Sequence, residues 1–183
     1  LTSLFDADRD DEPFFYGNRG ADGTGELHHS VEIGIPHVVG RCLLGAMAVH
    51  DGAGIAFPEG ALDILERYLK QSFDTPDHLN AYYRPGEPGQ PHYEFHNVRE
   101  GLFGLVAMAR LRDRDWAREK AGAMVRTLAA VTDEEGHWSH ALAAEAGLAD
   151  PQPTGMSDTN AGRVIEPLLA FHRLTGDAEA LRL

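Results

Sequence analysis

Residues 92–109, HYEFHNVREGLFGLVAMA, change from polar to apolar within one predicted helix. Its polar residues are concentrated in the first ten positions, 92–101, which contain two His, two Glu, one Asn and one Arg. Apolar residues recur at three- and four-residue spacing, namely Phe95, Val98, Leu102, Leu105 and Ala109. That spacing places them on one helical face. The stretch therefore predicts a buried helix whose N-terminal end carries the polar chemistry.

The rest of the chain from residue 36 onward also shows helical patterns. Further helices are predicted within residues 36–51, 57–73, 113–133, 139–148 and 159–177. No segment alternates convincingly with the two-residue period of a strand. Residues 1–35 are rich in Asp and Gly and predict an irregular loop segment. The sequence thus predicts an all-α domain over residues 36–183, preceded by an N-terminal loop segment at 1–35.

Three of these helical segments share a plan and suggest an internal repeat. Arg41, Arg99 and Arg163 each stand near the start of an apolar segment, at steps of 99 − 41 = 58 and 163 − 99 = 64 residues. Each step holds one apolar helix and one further helix, which makes an αα-hairpin. We predict two layers, with the apolar helices inside, and we predict that the three arginines occupy equivalent places near the same end of successive inner helices.

Composition limits the classes of partner. The 183 residues carry a formal net charge of −13, which disfavours binding to nucleic acid phosphates. No apolar run has the length of a membrane span. The single cysteine, Cys42, leaves neither an internal disulfide nor a multi-cysteine zinc site. We expect a cytoplasmic protein, or a secreted one if a leader precedes Leu1, with no nucleic acid or membrane partner.

The repeated hairpin, with the turns RLRDRDWAREKA (110–121) and RLTGDAEALRL (173–183), resembles the six-hairpin glycosidase superfamily. The resemblance covers roughly residues 30–183. It implies an (α/α) toroid that acts on carbohydrate, with a pocket at one end of the inner helices. About three hairpins are present, so we expect a partial toroid with an incomplete ring. The last inner helix should then expose an apolar patch that drives self-association, formed from Ile165, Leu168, Leu169 or Phe171.

In such a fold the polar starts of the inner helices would line one wall. That wall would contain His29, Glu32, His37, Arg41, His92, Glu94, His96, Arg99, Glu100, Asp158, Asn160 and Arg163. Sugar hydroxyls need donors and acceptors of these types. The alternative is that the residues cap helices and pair with one another, and Asp158 within SDTNAGR (157–163) is the clearest candidate for a cap.

Glycoside hydrolysis requires two carboxyl groups across the scissile bond. Glu100 is the first candidate because it lies one turn inside an otherwise apolar helix, and we expect it to face an open pocket. Its partner would be Glu94 or Asp158, with Glu32 and Glu26 as further choices. His96, which shares a helix face with Glu100, completes the catalytic candidates. We predict substrate binding by Arg41, Arg99, Arg163, Asn160, His37, Tyr83 and Trp138.

Two alternatives to a hydrolase remain open. A polysaccharide lyase or sugar epimerase on the same fold would use His96 or Tyr83 as the base and an Arg or Asn to neutralise a uronate carboxylate. A non-catalytic scaffold would bind a glycan or protein on its inner face. We predict no metal, because His92, Glu94 and His96 would align on a strand whereas His96 and Glu100 align on a helix. We expect no cofactor.

Overall fold

The computed structural model describes residues 4–29, 34–83, 89–150 and 162–183. Seven α-helices lie in these ranges. They are α1 (Gly34–Ala53), α2 (Glu59–Ser72), α3 (Phe95–Arg112), α4 (Asp115–Val131), α5 (His140–Glu145), α6 (Ile165–Thr175) and α7 (Glu179–Arg182). A 3-10 turn, Gly162–Val164, leads into α6. The predicted all-α fold of helical hairpins is confirmed.

The helices form antiparallel hairpins in two layers. Short connections join α1 to α2, α3 to α4 and α6 to α7, and the members of each pair contact each other. The most extensive contact joins α1 to α3, and α3 also packs against α6. Helices α1, α3 and α6 therefore form one layer, with α3 between the other two.

Two ion pairs show that α1 and α3 run parallel. Arg41 pairs with Glu100 near the N-terminal ends, and Asp51 pairs with Arg110 near the C-terminal ends. Both pairs are 59 residues apart (100 − 41 and 110 − 51). Helix α6 has its N-terminal end at the same place, because Glu166 in its first turn pairs with Arg99. The three inner helices thus present their N-terminal ends together.

Glycine permits the close approach of α1 and α3. A Cβ atom on Gly40 would lie 2.0 Å from the backbone oxygen of Glu100. A Cβ atom on Gly104 would lie 3.3 Å from the Cα atom of Gly40. No side chain fits between the helices here, so the two backbones are in direct contact. The core then continues along the apolar stripe of α3, where Val98, Leu102, Leu105 and Ala109 are buried.

A buried carboxylate ties the second layer to the α3–α4 turn. Glu66 of α2 accepts hydrogen bonds from Arg112 and Arg114 and, at 3.0 Å, from Trp116 Nε1. Lys70 pairs with the same carboxylate at 2.9 Å. Burial opposes ionisation of Glu66, but these donors outweigh it and lower its pKa. The residue therefore acts as a structural link between layers.

The segment predicted as irregular loop, residues 1–35, contains four short strands within residues 5–28. Strands β1 (Phe5–Asp6) and β2 (Glu12–Pro13) pair antiparallel, and so do β3 (Tyr16–Arg19) and β4 (Gly25–His28). The strands are two to four residues long, which is too short for an alternating pattern to emerge from the sequence. Helix α1 also begins at Gly34, two residues before the predicted start.

The predicted apolar patch on α6 is also not formed as expected. Ile165 is 55% exposed, but Leu168 and Phe171 are buried and Leu169 is half-buried. Phe171 lies near Gly122 of α4, where an added Cβ atom would be 3.8 Å from the Phe171 ring, so α4 covers this face of α6. Self-association through this edge stays a prediction. Within the described ranges, no helix has both the length and the apolar character of a membrane span.

Candidate functional site

The N-terminal ends of α1, α3 and α6 bring six charged or ionisable side chains into a continuous cluster. We call it the helix-end cluster, and it consists of His37, Arg41, Glu94, His96, Arg99 and Glu100. Two members lie on α1, and the other four lie on α3 or at its N-cap. All six were predicted from the sequence to bind or act on substrate. Arg41 and Arg99 contact the buried Glu100, and Glu94 contacts the half-exposed His96. His37 lies close enough to Arg41, His96 and Arg99 for their charges to act on it.

Glu100 is the anchor of the helix-end cluster. Its side chain is 1% exposed. Arg41 donates from Nε to Oε1 at 3.2 Å, and Arg99 donates from Nη1 to the same oxygen at 2.6 Å. The other oxygen, Oε2, is buried and has no partner among the described residues. The positive charges of two guanidinium groups thus compensate the negative charge of one buried carboxylate.

The expectation that Glu100 faces an open pocket is wrong. The residue lies at the contact of α1 with α3, where Gly40 meets its backbone. An acid–base catalyst must come within hydrogen-bond reach of the proton it transfers, and at 1% exposure Glu100 cannot do so in this conformation. The pattern was misleading because a polar residue one turn inside an apolar helix has the same spacing whether it faces a pocket or a partner helix.

Glu94 and His96 form the part of the cluster that can exchange protons. Glu94 is the N-cap of α3 and accepts the backbone N–H of Asn97 at Oε2, at 3.2 Å. Its Oε1 lies 2.7 Å from Nδ1 of His96. With Glu94 ionised, that contact favours a proton on Nδ1 and leaves a lone pair on Nε2. The His96 side chain is 33% exposed, so it can reach a bound molecule.

His37 contributes a neutral imidazole beside this pair. Burial is the main cause that lowers its pKa to about 4, and the nearby charges of Arg41, His96 and Arg99 lower it further. Its ring centroid lies 6.3 Å from that of His96, in edge-to-face geometry. Phe15 closes the other side at 5.7 Å. Nδ1 of His37 is buried without a partner in the described part of the chain.

Arg99 extends the cluster to α6. Its Nη2 donates to Glu166 Oε2 at 2.9 Å, and its guanidinium lies 4.9 Å from the centroid of the Phe103 ring. Glu166 itself is 69% exposed. Neither Glu166 nor Phe15 was predicted from the sequence. They have no local signal, because their partners lie far away along the chain.

Other predicted binding residues lie outside these contacts. Tyr83 is partly exposed and donates its hydroxyl to the backbone oxygen of Asp74 at 3.0 Å. Trp138 lines a small apolar cavity of about 50 Å³ together with Leu128 and Leu168. Arg163 is exposed in the 3-10 turn before α6. The three repeat arginines lie toward the N-terminal ends of α1, α3 and α6, but their places are not equivalent, because Arg41 and Arg99 lie within their helices and bind Glu100 whereas Arg163 precedes α6.

The remaining candidates divide into three groups. Glu32, Asp158 and Asn160 lie outside the described residues. His29 and Glu26 belong to the N-terminal strands and their ends, where His29 lies 2.9 Å from Asp6 and Glu26 lies 3.7 Å from His28. His92 stacks on Tyr82 at 5.6 Å. None of these three contacts involves a member of the helix-end cluster.

Two open clefts lie away from Glu94 and His96. An open, mainly apolar groove of about 530 Å³ runs along α1, with Arg41 at its edge and Val49, Ile55 and Phe57 among its walls. Another cleft, of about 330 Å³, lies between α4 and the loop after α2 and contains His78 and Arg126. Across the described ranges, no three His, Cys, Asp or Glu side chains are arranged to hold a metal ion.

Comparison with known proteins assigns no family to the chain. No family model matches it, and neither a curated protein nor a solved structure matches it. Membership of the six-hairpin glycosidase superfamily therefore stays a prediction from the sequence.

Proposed function

We propose that this chain belongs to a carbohydrate-active enzyme in which His96, oriented by Glu94, transfers protons at the N-terminal ends of the inner helices. The 2.7 Å contact between Glu94 and His96 carries the proposal. A carboxylate that fixes the tautomer of a half-exposed imidazole is a common arrangement for a general base. The helical hairpins and their resemblance to toroid glycosidases supply the substrate class.

The geometry favours proton abstraction over hydrolysis by paired carboxylates. A hydrolase of the usual type needs two reachable carboxyl groups, but Glu100 is buried and ion-paired, and Glu94 is occupied by a helix cap and by His96. A lyase or epimerase needs one base beside a cationic group, and His96 stands three residues before Arg99 on α3, a spacing that puts the two side chains on one helix face. Elimination or epimerisation is therefore our first choice of reaction, and hydrolysis through Glu94 and a residue outside the described ranges is the second.

A polysaccharide panel tests the reaction class. A lyase would release products with an unsaturated sugar that absorbs in the ultraviolet, whereas a hydrolase would release reducing ends without that absorbance. An epimerase would exchange a substrate C–H proton with deuterium from the solvent. We expect ultraviolet absorbance or deuterium exchange, and reducing ends alone would favour the hydrolase.

Two variants then test the assignment of the base. His96→Gln should lower turnover about 10²–10⁴-fold, the usual contribution of a general acid–base residue. Glu94→Gln keeps an acceptor for the helix cap while removing the charge beside His96, so turnover should fall and the pH profile should shift. His50→Gln, an exposed histidine at the other end of α1, is the matched control. Full activity in His96→Gln would rule out this mechanism.

A further inference from the structure

We infer that the helix-end cluster binds an acidic sugar through its carboxylate group, with Arg41 and Arg99 as the binding pair and Glu100 as the buried residue that positions them. The inference rests on the proposed function for the sugar class. It names the charged group of the substrate and the residues that recognise it.

The first observation is the way Glu100 holds the two arginines. Both guanidinium groups donate to the same oxygen, Oε1, from neighbouring parallel helices. Because Glu100 is almost completely buried, water cannot replace these donors without cost. The ion pairs therefore fix the positions of two cationic groups that would otherwise be mobile. Glu100 acts on a ligand through the arginines and does not touch it.

The second observation is that both guanidinium groups keep donors for a ligand. Among the described contacts, Arg41 uses only Nε, and its side chain is 61% exposed. Arg99 uses Nη1 for Glu100 and Nη2 for Glu166. A planar carboxylate accepts two parallel N–H bonds from a guanidinium group, which gives both energy and orientation. Unused donors on two adjacent arginines match that requirement.

The third observation is that a ligand can replace Glu166 as the partner of Arg99. Glu166 is 69% exposed, and exposed ion pairs contribute little to stability. A substrate carboxylate at the position of the Glu166 side chain would make the same contact with Nη2. The Glu166 carboxylate thus occupies the proposed binding position when no ligand is present.

The local charge around the two arginines also admits an anion. When Glu166 moves away, Glu100 is the one carboxylate that the described contacts place on Arg41 and Arg99, so these three groups carry one positive charge in excess. Ionised Glu94 makes the helix-end cluster as a whole neutral, and His37, whose pKa burial lowers to about 4, adds no charge near pH 7. His96, three residues before Arg99 on α3, is the base that would remove the proton on the carbon next to a carboxylate bound here.

Calorimetric titration tests the inference without requiring turnover. Oligogalacturonate and oligoglucuronate should bind, and their neutral galactose and glucose counterparts should bind at least about tenfold more weakly, the factor expected for loss of charge-assisted hydrogen bonds. Arg99→Lys retains the charge but loses the paired donors, so it should weaken acidic-sugar binding about tenfold or more. Equal binding of acidic and neutral sugars would overturn the inference.

The variant Glu166→Gln tests whether the Glu166 carboxylate competes with the ligand for Arg99. A purely structural role of the ion pair between Arg99 and Glu166 would not predict tighter binding in this variant. Removing the competing carboxylate should strengthen acidic-sugar binding about two- to five-fold, the range implied by an exposed ion pair. Glu179→Gln, which removes another exposed carboxylate paired with an arginine, should leave binding unchanged. Weaker or unaltered binding in Glu166→Gln would contradict the displacement step. Circular dichroism of each variant confirms that it is folded.

These results separate the inference from the proposed enzyme activity. Selective binding of acidic sugars without turnover would support the binding site and count against catalysis. Turnover of neutral sugars that is insensitive to Arg99→Lys would support catalysis and overturn the acidic-sugar assignment. A sulfated neutral oligosaccharide distinguishes the type of anion, and its tighter binding than that of the uronates would refute a carboxylate-specific site.

Discussion

Gly40 lies against the backbone of Glu100 so closely that a Cβ atom on the glycine would be 2.0 Å from the Glu100 carbonyl oxygen. This contact sets the distance between α1 and α3, and thereby the distance between Arg41 and the carboxylate that it binds. The spacing between the two helices and the geometry of the helix-end cluster are therefore coupled.

Gly40→Ala should destabilise the protein by about 1–3 kcal/mol, because the added methyl group meets backbone atoms that can move only with their helix. Gly45→Ala in the same helix meets nothing within 4 Å. It should be neutral or stabilise by up to about 1 kcal/mol, the helix preference of Ala over Gly. Urea denaturation of both variants measures the difference, and equal stabilities would refute the close packing of α1 on α3.

Removing the Glu100 carboxylate should destabilise the protein less than removing the two arginines that bind it. Glu100→Gln should cost about 1–3 kcal/mol in unfolding free energy, since both arginines retain some access to water. The double variant Arg41→Ala with Arg99→Ala should cost about 3–5 kcal/mol, because it leaves a buried carboxylate without compensation. Chemical denaturation near pH 7 measures both losses of unfolding free energy and shows which is larger. A larger loss for Glu100→Gln than for the double variant would contradict the burial of Glu100.

His37 should make stability depend on pH. Its pKa is lowered from 6.5 to about 4 in the folded chain, so the folded state binds fewer protons than the unfolded state between these values. Stability contributed by this group is complete above about pH 6.5 and falls as the pH drops toward 4, with little further change below it. The loss is at most about 3.5 kcal/mol, from about 1.4 kcal/mol per pH unit over a shift of about 2.5 units.

The matched measurement compares the natural chain with His37→Gln at pH 7 and pH 4. Other titrating groups are common to both proteins, including His96, which with Arg41 and Arg99 acts on His37 electrostatically. The difference between the two proteins should therefore isolate His37, with a smaller pH-dependent loss in the variant. The same loss in both proteins would show that His37 titrates normally.

Periodicity predicted the helices well because burial repeats along a helix. Spacing predicts both the polar start of α3 and the apolar stripe that follows it. It also predicts that the repeat arginines lie toward the same end of the inner helices. The short strands at 5–28 could not be predicted from spacing, since they depend on pairings between residues up to twelve apart, such as Tyr16 with His28. Local spacing is insufficient for such short elements.

The contacts of the site were harder to predict than its residues. The sequence predicts Arg41, His96, Arg99 and Glu100 as site residues, but it also predicts an open pocket at Glu100, which the structure does not show. Spacing identifies the face of a helix without identifying what packs on that face. Only the approach of Gly40 shows that α1 covers Glu100. Glu166, whose partner Arg99 is 67 residues away, required the tertiary structure.

An NMR titration of the ¹⁵N-labelled chain with the tightest-binding acidic oligosaccharide tests the central claim most directly. We predict that the largest shift changes occur at the amides of residues 37–41 and 94–100 and at the Nε–H groups of Arg41 and Arg99. The neutral counterpart at the same concentration should produce smaller changes at these positions. Changes centred instead on the groove at Val49, Ile55 and Phe57, or no changes at all, would contradict a sugar-binding site at the N-terminal ends of the inner helices.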